Sequence, residues 1–525
     1  MNAVASNIVA LGEFDATRFL RAWAQHATTS LQPWHALAWS HRPPQWASFT
    51  PPPELAAWLD PLMQAGWGLL PGVHRLRLRA PANHPHPINA NAVAHLTLGI
   101  GPAARAYADT PCTPVPDAAL TDRSQRVAVL GGGLAGAACA RALAERGFRV
   151  QVIDQSEAPA GGASGLPVGL VAPHASPDDS VISRLSRAGV RAMRDAMQTH
   201  LQLGIDWGDS GVQERRLPGK TRKGGAPAHW SSDWPQEGGD WTQAAPSPPW
   251  PANSLWHPRG AWVRPAALVR ALLQHPSIEW RGGQAVTRLQ RQSVDNAPSA
   301  PWRIWQGNAV LAQADQIVLA TGPRTVGLLQ ASGVSTRDLP IRPLRGQMSW
   351  GRMADLTTSA DDAMPANVSN ALREALPATP VNGHGSFVHS LATADGLAWF
   401  AGATFDRERD TPECLDADHQ DNLARVQSLL PELAPFMANG FAPDKVRAWA
   451  GVRCSLPDRL PMVGALPDAP GLWVCSAMGS RGLTLAVLCA ELLAAQWCGE
   501  PLAVEPALAR AVSANRFTRD RRRDG

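Results

Sequence analysis

Gly131, Gly133 and Gly136 are spaced as G-x-G-x-x-G, a pattern that lets a backbone wrap a pyrophosphate. Gly131 permits a tight turn. Gly133 lets the main chain approach the phosphates, and Gly136 lets a helix pack close to the preceding strand. Asp154 follows 23 residues after Gly131, where an acid can accept hydrogen bonds from adenosine ribose hydroxyls. It favours a free ribose over a 2′-phosphate. Such a glycine triplet alone is a common turn, but here the flanks agree. Residues 126–130 (RVAVL) read as a short buried strand. Residues 137–146 have helix-forming composition, closed by Gly147, and residues 149–153 read as a second strand that ends in Asp154. The helix would offer free N–H groups and a positive dipole end to the phosphates. The unit predicts a dinucleotide site.

Two later segments point to FAD rather than NAD. Residues 315–322 (DQIVLATG) form an apolar strand ending on Thr321 and Gly322, a type that returns to the cofactor in flavin-binding versions of this fold. Any buried strand that stops at a turn would look the same. Near the C-terminus, residues 472–475 (LWVC) lead into Gly479, Ser480, Arg481, Gly482 and Leu483, and an apolar helix follows to about Trp497. A glycine-bearing turn that opens a helix aims backbone N–H groups at an anionic flavin edge.

These turns need a scaffold, and 525 residues suffice for two or three domains. The seven cysteines form no C-x-x-C pair and are odd in number, which argues against a disulfide framework or a structural zinc, and no metal site is expected. A formal charge of +4 permits a nucleic-acid partner without demanding one. No apolar run of membrane length and no signal-peptide pattern is read, so the expectation is a soluble, cytoplasmic protein with no membrane partner. Residues 1–124 are rich in Ala, Pro, Trp and His and carry no clear catalytic motif. Residues 219–256 turn Pro-, Gly- and Trp-rich, with Trp230, Trp234, Trp241, Trp250 and Trp256, and read as an irregular insertion. Its tryptophans could stack on nucleobases or anchor the loop on the protein body. Arg516, Arg519, Arg521, Arg522 and Arg523 make a basic tail, either a solvated terminus or an arm for phosphates. His384, His389 and His419 read as surface or hydrogen-bonded histidines.

The turns resemble those of the glycine oxidase and D-amino-acid oxidase superfamily. Gly162, Ala163, Ser164 and Gly165, with Gly169 soon after, resemble that family's loop beside the isoalloxazine ring, and residues 260–265 (GAWVRP) the opening of its mid-chain helix. Residues 449–453 (WAGVR), followed by Pro457-Asp458, resemble the strand that carries its substrate-carboxylate arginine. A narrower family is more similar still. Residues 158–165, 342–347 (RPLRGQ), 402–407 (GATFDR), 416–423, 451–454 and 479–483 look like the oxidoreductase half of the bifunctional tRNA-modifying MnmC family. The likeness runs from about Arg126 to Phe517, with the Trp-rich insertion poorly matched.

That resemblance implies an FAD enzyme that removes the carboxymethyl group of 5-carboxymethylaminomethyl-(2-thio)uridine at the tRNA wobble position, giving glyoxylate and the aminomethyl nucleoside. It implies an α/β and α+β fold in which a Rossmann-like FAD domain (125–190, 264–335 and 450–517) interleaves with an antiparallel-sheet substrate domain (191–263 and 336–449). Arg453 would hold the substrate carboxylate, with Arg345 and Arg481 as further candidates for that carboxylate or for tRNA phosphate. Gly131, Gly133, Gly136, Asp154, Ala163, Ser164, Thr321, Gly322, Gly479, Ser480, Gly482 and Leu483 would hold FAD. The spacing of Cys454 to Pro457-Asp458 favours a non-covalent cofactor. Residues 1–124 would be a degenerate, methyltransferase-like α/β region. Residues 9–14 (VALGEF) stand where its S-adenosylmethionine loop belongs, and residues 96–101 echo a later strand, but the domain looks truncated and eroded. The implied partners are a tRNA anticodon stem-loop and a separate methyltransferase for the following step. Two other functions fit the same residues: an oxidase of free glycine, sarcosine or D-amino acids, and a non-catalytic RNA-binding flavoprotein.

Overall fold

A computed structural model describes residues 8–29, 34–81, 93–101, 122–216, 239–244, 254–291, 300–357, 370–407 and 409–521. Val127–Leu130 is buried at every position, as a strand covered on both faces must be. It lies inside a six-stranded sheet ordered Ile278–Arg281, Val150–Ile153, Val127–Leu130, Gln316–Leu319, Leu472–Ser476, Met462–Ala465. The first five strands run parallel and the last antiparallel.

Helices cover this sheet. Leu134–Ala144 packs on Gly482–Cys498, which in turn packs on Val181–His200. Gly189 permits the second approach, since a Cβ there would lie 2.1 Å from the Thr484 carbonyl oxygen. Gly479–Cys498 reaches the length and apolarity of a membrane span, contrary to the sequence reading. It is apolar all round because it is a core helix with protein on several sides. Helix Val181–His200 runs unbroken through the expected boundary at residue 190.

A second sheet of eight strands interleaves with the first. Its order is Gln243–Ala244, Leu255–His257, Val212–Glu214, Val381–Gly383, Gly385–Thr393, Gly396–Gly402, Arg342–Arg352, Arg447–Ser455. Pairing is antiparallel except between Val212–Glu214 and Val381–Gly383. Arg447–Ser455 pairs with Arg342–Arg352 along its whole length, Arg453 opposite Leu344. Residues 450–455 therefore belong to the eight-stranded sheet and not, as expected from the sequence, with the unit built on Val127–Leu130. The antiparallel ladder, invisible in a single strand's composition, decides this.

The N-terminal unit is a four-stranded sheet ordered Ile8–Glu13, Trp34–Ser40, Val93–Ile100, Gly72–Arg79, with helices Ala16–Thr29 and Ala56–Ala65. It shares one buried apolar cluster with the nucleotide-binding domain. Trp241 of the insertion anchors there: its indole N–H donates to the Gly68 carbonyl at 2.7 Å and its ring packs at a tilt on Trp67, with centroids 4.6 Å apart. Trp256 sits on the strand Leu255–His257, while Trp230, Trp234 and Trp250 lie outside the described residues.

The seam between the N-terminal unit and the nucleotide-binding domain is charged. Arg75 meets Glu491 at 3.4 Å and Arg77 meets Glu145 at 2.9 Å across it, while Arg146 bridges Glu491 and Glu500 behind it at 2.9 and 2.7 Å. Half-buried His74 donates to the Leu70 carbonyl at 2.6 Å. Burial first, and the Arg191 charge second, push its pKa down to about 3. A histidine depressed in the folded state stabilises fully above its unfolded pKa of roughly 6.5, and that stability is lost as pH falls. At pH 5 the loss from His74 alone is about 2 kcal/mol. His74→Gln should flatten the fall in urea midpoint between pH 7 and 5. A profile parallel to wild type would refute this role.

Candidate active site

The glycine turn is built as its spacing requires. Gly131 has φ of 106°, and a Cβ on it would meet the Ala320 carbonyl oxygen at 2.5 Å. A Cβ on Gly136 would lie 1.8 Å from the Gly131 carbonyl oxygen, so only glycine lets the helix close on the turn. Gly133 caps helix Leu134–Ala144, and the Leu134 N–H donates to the Ser164 hydroxyl at 2.8 Å. Both Asp154 oxygens accept backbone N–H groups, from Gly132 at 2.5 Å and Ser156 at 2.7 Å. Asp154 thus fixes the turn, with further lone pairs left for a ribose.

Three more turns converge on one strand. Ala163–Gly165, Gly322–Arg324 and Gly479–Arg481 all pack against Arg447–Ser455. A Cβ on Gly451 would lie 3.2 Å from the Ala163 Cα, one on Gly322 4.0 Å from the Cys454 sulfur, and one on Gly479 3.8 Å from the Ser455 Cβ. Thr321 and Thr325 share a hydroxyl contact of 2.9 Å that closes the second turn. Gly482 opens the core helix with nothing within 4 Å of its Cβ position, Ser480 is exposed, and Leu483 packs over Gly169. The cradle without side chains at Gly131 and Gly136, the helix N-termini and the open space at Gly482 fit a dinucleotide cofactor such as FAD.

The arginines differ sharply. Arg453 donates through Nη2 to the Thr404 carbonyl at 3.0 Å and lies 4.9 Å from the centre of the Phe405 ring. Among the described residues no carboxylate pairs with it, and burial pushes its pKa down to about 10. It remains a cation at neutral pH, with Nε and Nη1 available to an anion. Arg481 makes no ion pair among the described residues, and burial followed by repulsion from Arg459 lowers its pKa. Arg345, expected at the substrate or at tRNA phosphate, does neither. It is fully buried and donates to Asp418 at 2.6 Å, to Gln347 at 3.1 Å and to the Glu413 carbonyl at 3.0 Å. It carries the strand beneath the site.

Buried Cys454 lies 3.4 Å from the Ser476 hydroxyl, and burial raises its thiol pKa. His419 pairs with Ser349, His389 with the Pro377 carbonyl and His384 with Arg425. Arg516 is not part of a free arm, because it binds Asp458 at 2.8 Å and the Pro461 carbonyl at 2.9 Å. Phe405 is the feature that sequence reasoning passed over. It lies inside the quoted segment 402–407, but nothing in that segment signals its exposure.

Among the described residues no group of His, Cys, Asp and Glu could hold a metal ion. A cavity of about 60 Å³ lies between His74, His95, Asp195 and Glu491, in the domain seam. Chemistry is therefore placed by the converging turns, where a cofactor would itself fill the space. A dinucleotide cradle beside a half-buried arginine with no acid partner among the described residues, on an antiparallel sheet, is the arrangement of a flavin-binding oxidoreductase. The chain belongs to the family described as FAD dependent oxidoreductase, whose model matches residues 126–496.

It is 44% identical over 423 residues to the "tRNA 5-methylaminomethyl-2-thiouridine biosynthesis bifunctional protein MnmC" of Paracidovorax citrulli (strain AAC00-1), covering 77% of this chain and 62% of that protein. The protein of the same name from Polaromonas sp. (strain JS666 / ATCC BAA-500) is 45% identical over 396 residues, covering 73% and 58%. The chain spans about six tenths of the length of these curated relatives. In structure it is similar to glycine oxidase from Geobacillus kaustophilus, with a TM-score of 0.52 and 19% identity over 73% of this chain and 98% of that one. L-proline dehydrogenase from P. horikoshii gives a TM-score of 0.54 and 14% identity, covering 75% and 98%. These two likenesses establish the fold.

Proposed function

We propose that this chain is an FAD-dependent amine oxidoreductase that removes the carboxymethyl group of 5-carboxymethylaminomethyl-(2-thio)uridine at the tRNA wobble position. The observation that carries it is Arg453, a half-buried cation without an acid partner among the described residues, beside the three turns that fit a flavin. The group to be removed is an N-substituted glycine, whose one carboxylate matches one guanidinium fork. The relatives named for 5-methylaminomethyl-2-thiouridine biosynthesis support tRNA as the carrier of that group.

Bound without a covalent link, FAD supplies the two-electron acceptor for the glycyl C–H bond, and hydrolysis of the resulting imine gives glyoxylate and the aminomethyl nucleoside. The protein's own work is placement. Arg453 fixes the carboxylate. The backbone N–H groups at the start of helix Gly482–Cys498 face developing negative charge. Gly131, Gly133, Gly136, Asp154, Ala163, Ser164, Thr321, Gly322, Gly479, Ser480, Gly482 and Leu483 shape the cofactor's walls. Arg481 is open to a phosphate or to the carboxylate. This reading puts the chain in the cytoplasm, with the tRNA anticodon stem-loop as partner and methylation of the product left to a separate enzyme.

The test is nucleoside analysis of tRNA bearing the carboxymethylaminomethyl group after incubation with FAD-loaded protein. The aminomethyl nucleoside and glyoxylate are expected in equal amounts, with no methylated nucleoside when S-adenosylmethionine is supplied. Turnover of free glycine or sarcosine with none on the RNA would sink the proposal, and so would flavin that no substrate reduces.

A further inference from the structure

We propose that Phe405 is the platform on which the substrate's pyrimidine base stacks, so that base and carboxylate are gripped by neighbouring groups. This rests on the tRNA reading above and names what would make the site prefer a nucleoside-borne glycine over a free one. Phe405 is 49% exposed, whereas the other exposed large apolar side chains among the described residues are aliphatic. A single exposed apolar residue is ordinary by itself. Its address is not, because its ring centre lies 4.9 Å from the guanidinium carbon of Arg453.

The backbone on both sides of the ring is held. On its N-terminal side the Thr404 N–H donates to the Gln347 carbonyl at 3.1 Å, and the Thr404 hydroxyl accepts from the Gln347 N–H at 3.0 Å. On its C-terminal side Asp406 exchanges both backbone bonds with Arg345, at 2.8 and 2.9 Å. Buried Arg345 and Gln347 in turn tie that strand to residues 413–418. An aromatic side chain carried on backbone tied at both flanks binds a planar group without the cost of ordering its loop. The same Thr404 whose backbone is tied here accepts the Arg453 hydrogen bond, so one short loop sets the spacing between ring and guanidinium.

The surroundings favour a nucleic-acid base over another flat group. Arg425 lies 5.9 Å from the ring centre and Arg407 is exposed beside it, both suited to flanking phosphates. Free glycine, sarcosine and D-alanine carry no aromatic ring to stack on it. Every base has a π-face, and truncating such a platform costs roughly tenfold or more in binding.

The experiment is steady-state kinetics of FAD-loaded protein on an anticodon stem-loop RNA bearing the carboxymethylaminomethyl group. Phe405→Leu should raise KM about tenfold, with kcat within about threefold and flavin absorbance retained. Phe405→Trp, which enlarges the platform, should keep KM at or below the wild-type value. A Phe405→Leu KM within about twofold of wild type, in a wild-type enzyme that turns over the RNA, overturns the stacking role alone. So does a Phe405→Trp KM raised as far as that of Phe405→Leu. A wild-type enzyme inert on the RNA overturns the functional reading itself.

Discussion

Gly136→Val is expected to give a folded but colourless protein that cannot be reconstituted with FAD. The added Cβ would lie 1.8 Å from the Gly131 carbonyl oxygen and 3.3 Å from the Ala320 Cβ. The first of these is backbone inside a turn that is itself fixed by Gly131 at φ 106°. It cannot yield as a flexible side chain would, so helix Leu134–Ala144 must move outward. That movement withdraws the helix N-terminus, which supplies the anion-binding N–H groups. Overpacking of this kind costs about 1–3 kcal/mol, and misplacing the phosphate site adds to it, so flavin affinity should fall by about a hundredfold or more. Gly327→Ala is the control. Gly327 has nothing within 4 Å of its Cβ position and lies on the exposed side of helix Thr325–Ala331. It should keep its flavin and gain slightly in stability. Absorbance of the oxidised flavin per mole of protein decides between the two, and a yellow Gly136→Val protein would contradict the argument.

The nucleotide cradle was legible because its constraint is local. A tight turn, a close approach and an acid at the end of the next strand all leave marks within thirty residues. The turn at Ser164 was legible only by its resemblance to a family loop, Thr321-Gly322 as a strand end, and Gly479–Arg481 as a glycine-bearing turn that opens a helix. Their convergence on Arg447–Ser455 depends on long-range pairing that no local pattern encodes. The same limit explains Arg345. In sequence it is an arginine in a recognisable segment, indistinguishable from Arg453. Only the fold brings Asp418, 73 residues later, to within 2.6 Å and turns the side chain into a buried strut. Asp154 shows a milder version, since the structure adds two backbone bonds that the spacing rule does not foresee. The docking of the N-terminal unit was also hidden, because Arg75 and Arg77 are far in the chain from Glu491 and Glu145, and each reads as an ordinary surface charge.

Arg453→Ala should lower kcat/KM on the modified RNA at least tenfold while leaving flavin content intact. A charge-assisted hydrogen bond is worth roughly 1.5–3 kcal/mol, and 1.4 kcal/mol is one decade in kcat/KM. Arg453→Lys should recover only part of the loss, because a point charge cannot reproduce the two-pronged fit to a carboxylate. A structural arginine would give a different signature. Arg345→Ala, which strands Asp418 in the interior, should lower the melting temperature and scramble the loop at Thr404. Arg453 has no such dependant. Burial alone depresses its pKa to about 10, so the substrate-free fold carries its charge at a cost. Arg453→Met should therefore raise the melting temperature of the substrate-free protein even as it removes activity, the pattern of a residue kept for its ligand. Glyoxylate release, flavin absorbance and thermal melts on the three Arg453 variants and on Arg345→Ala separate the two roles. The assignment fails if Arg453→Ala keeps wild-type kcat/KM, or if it loses activity only because FAD is lost.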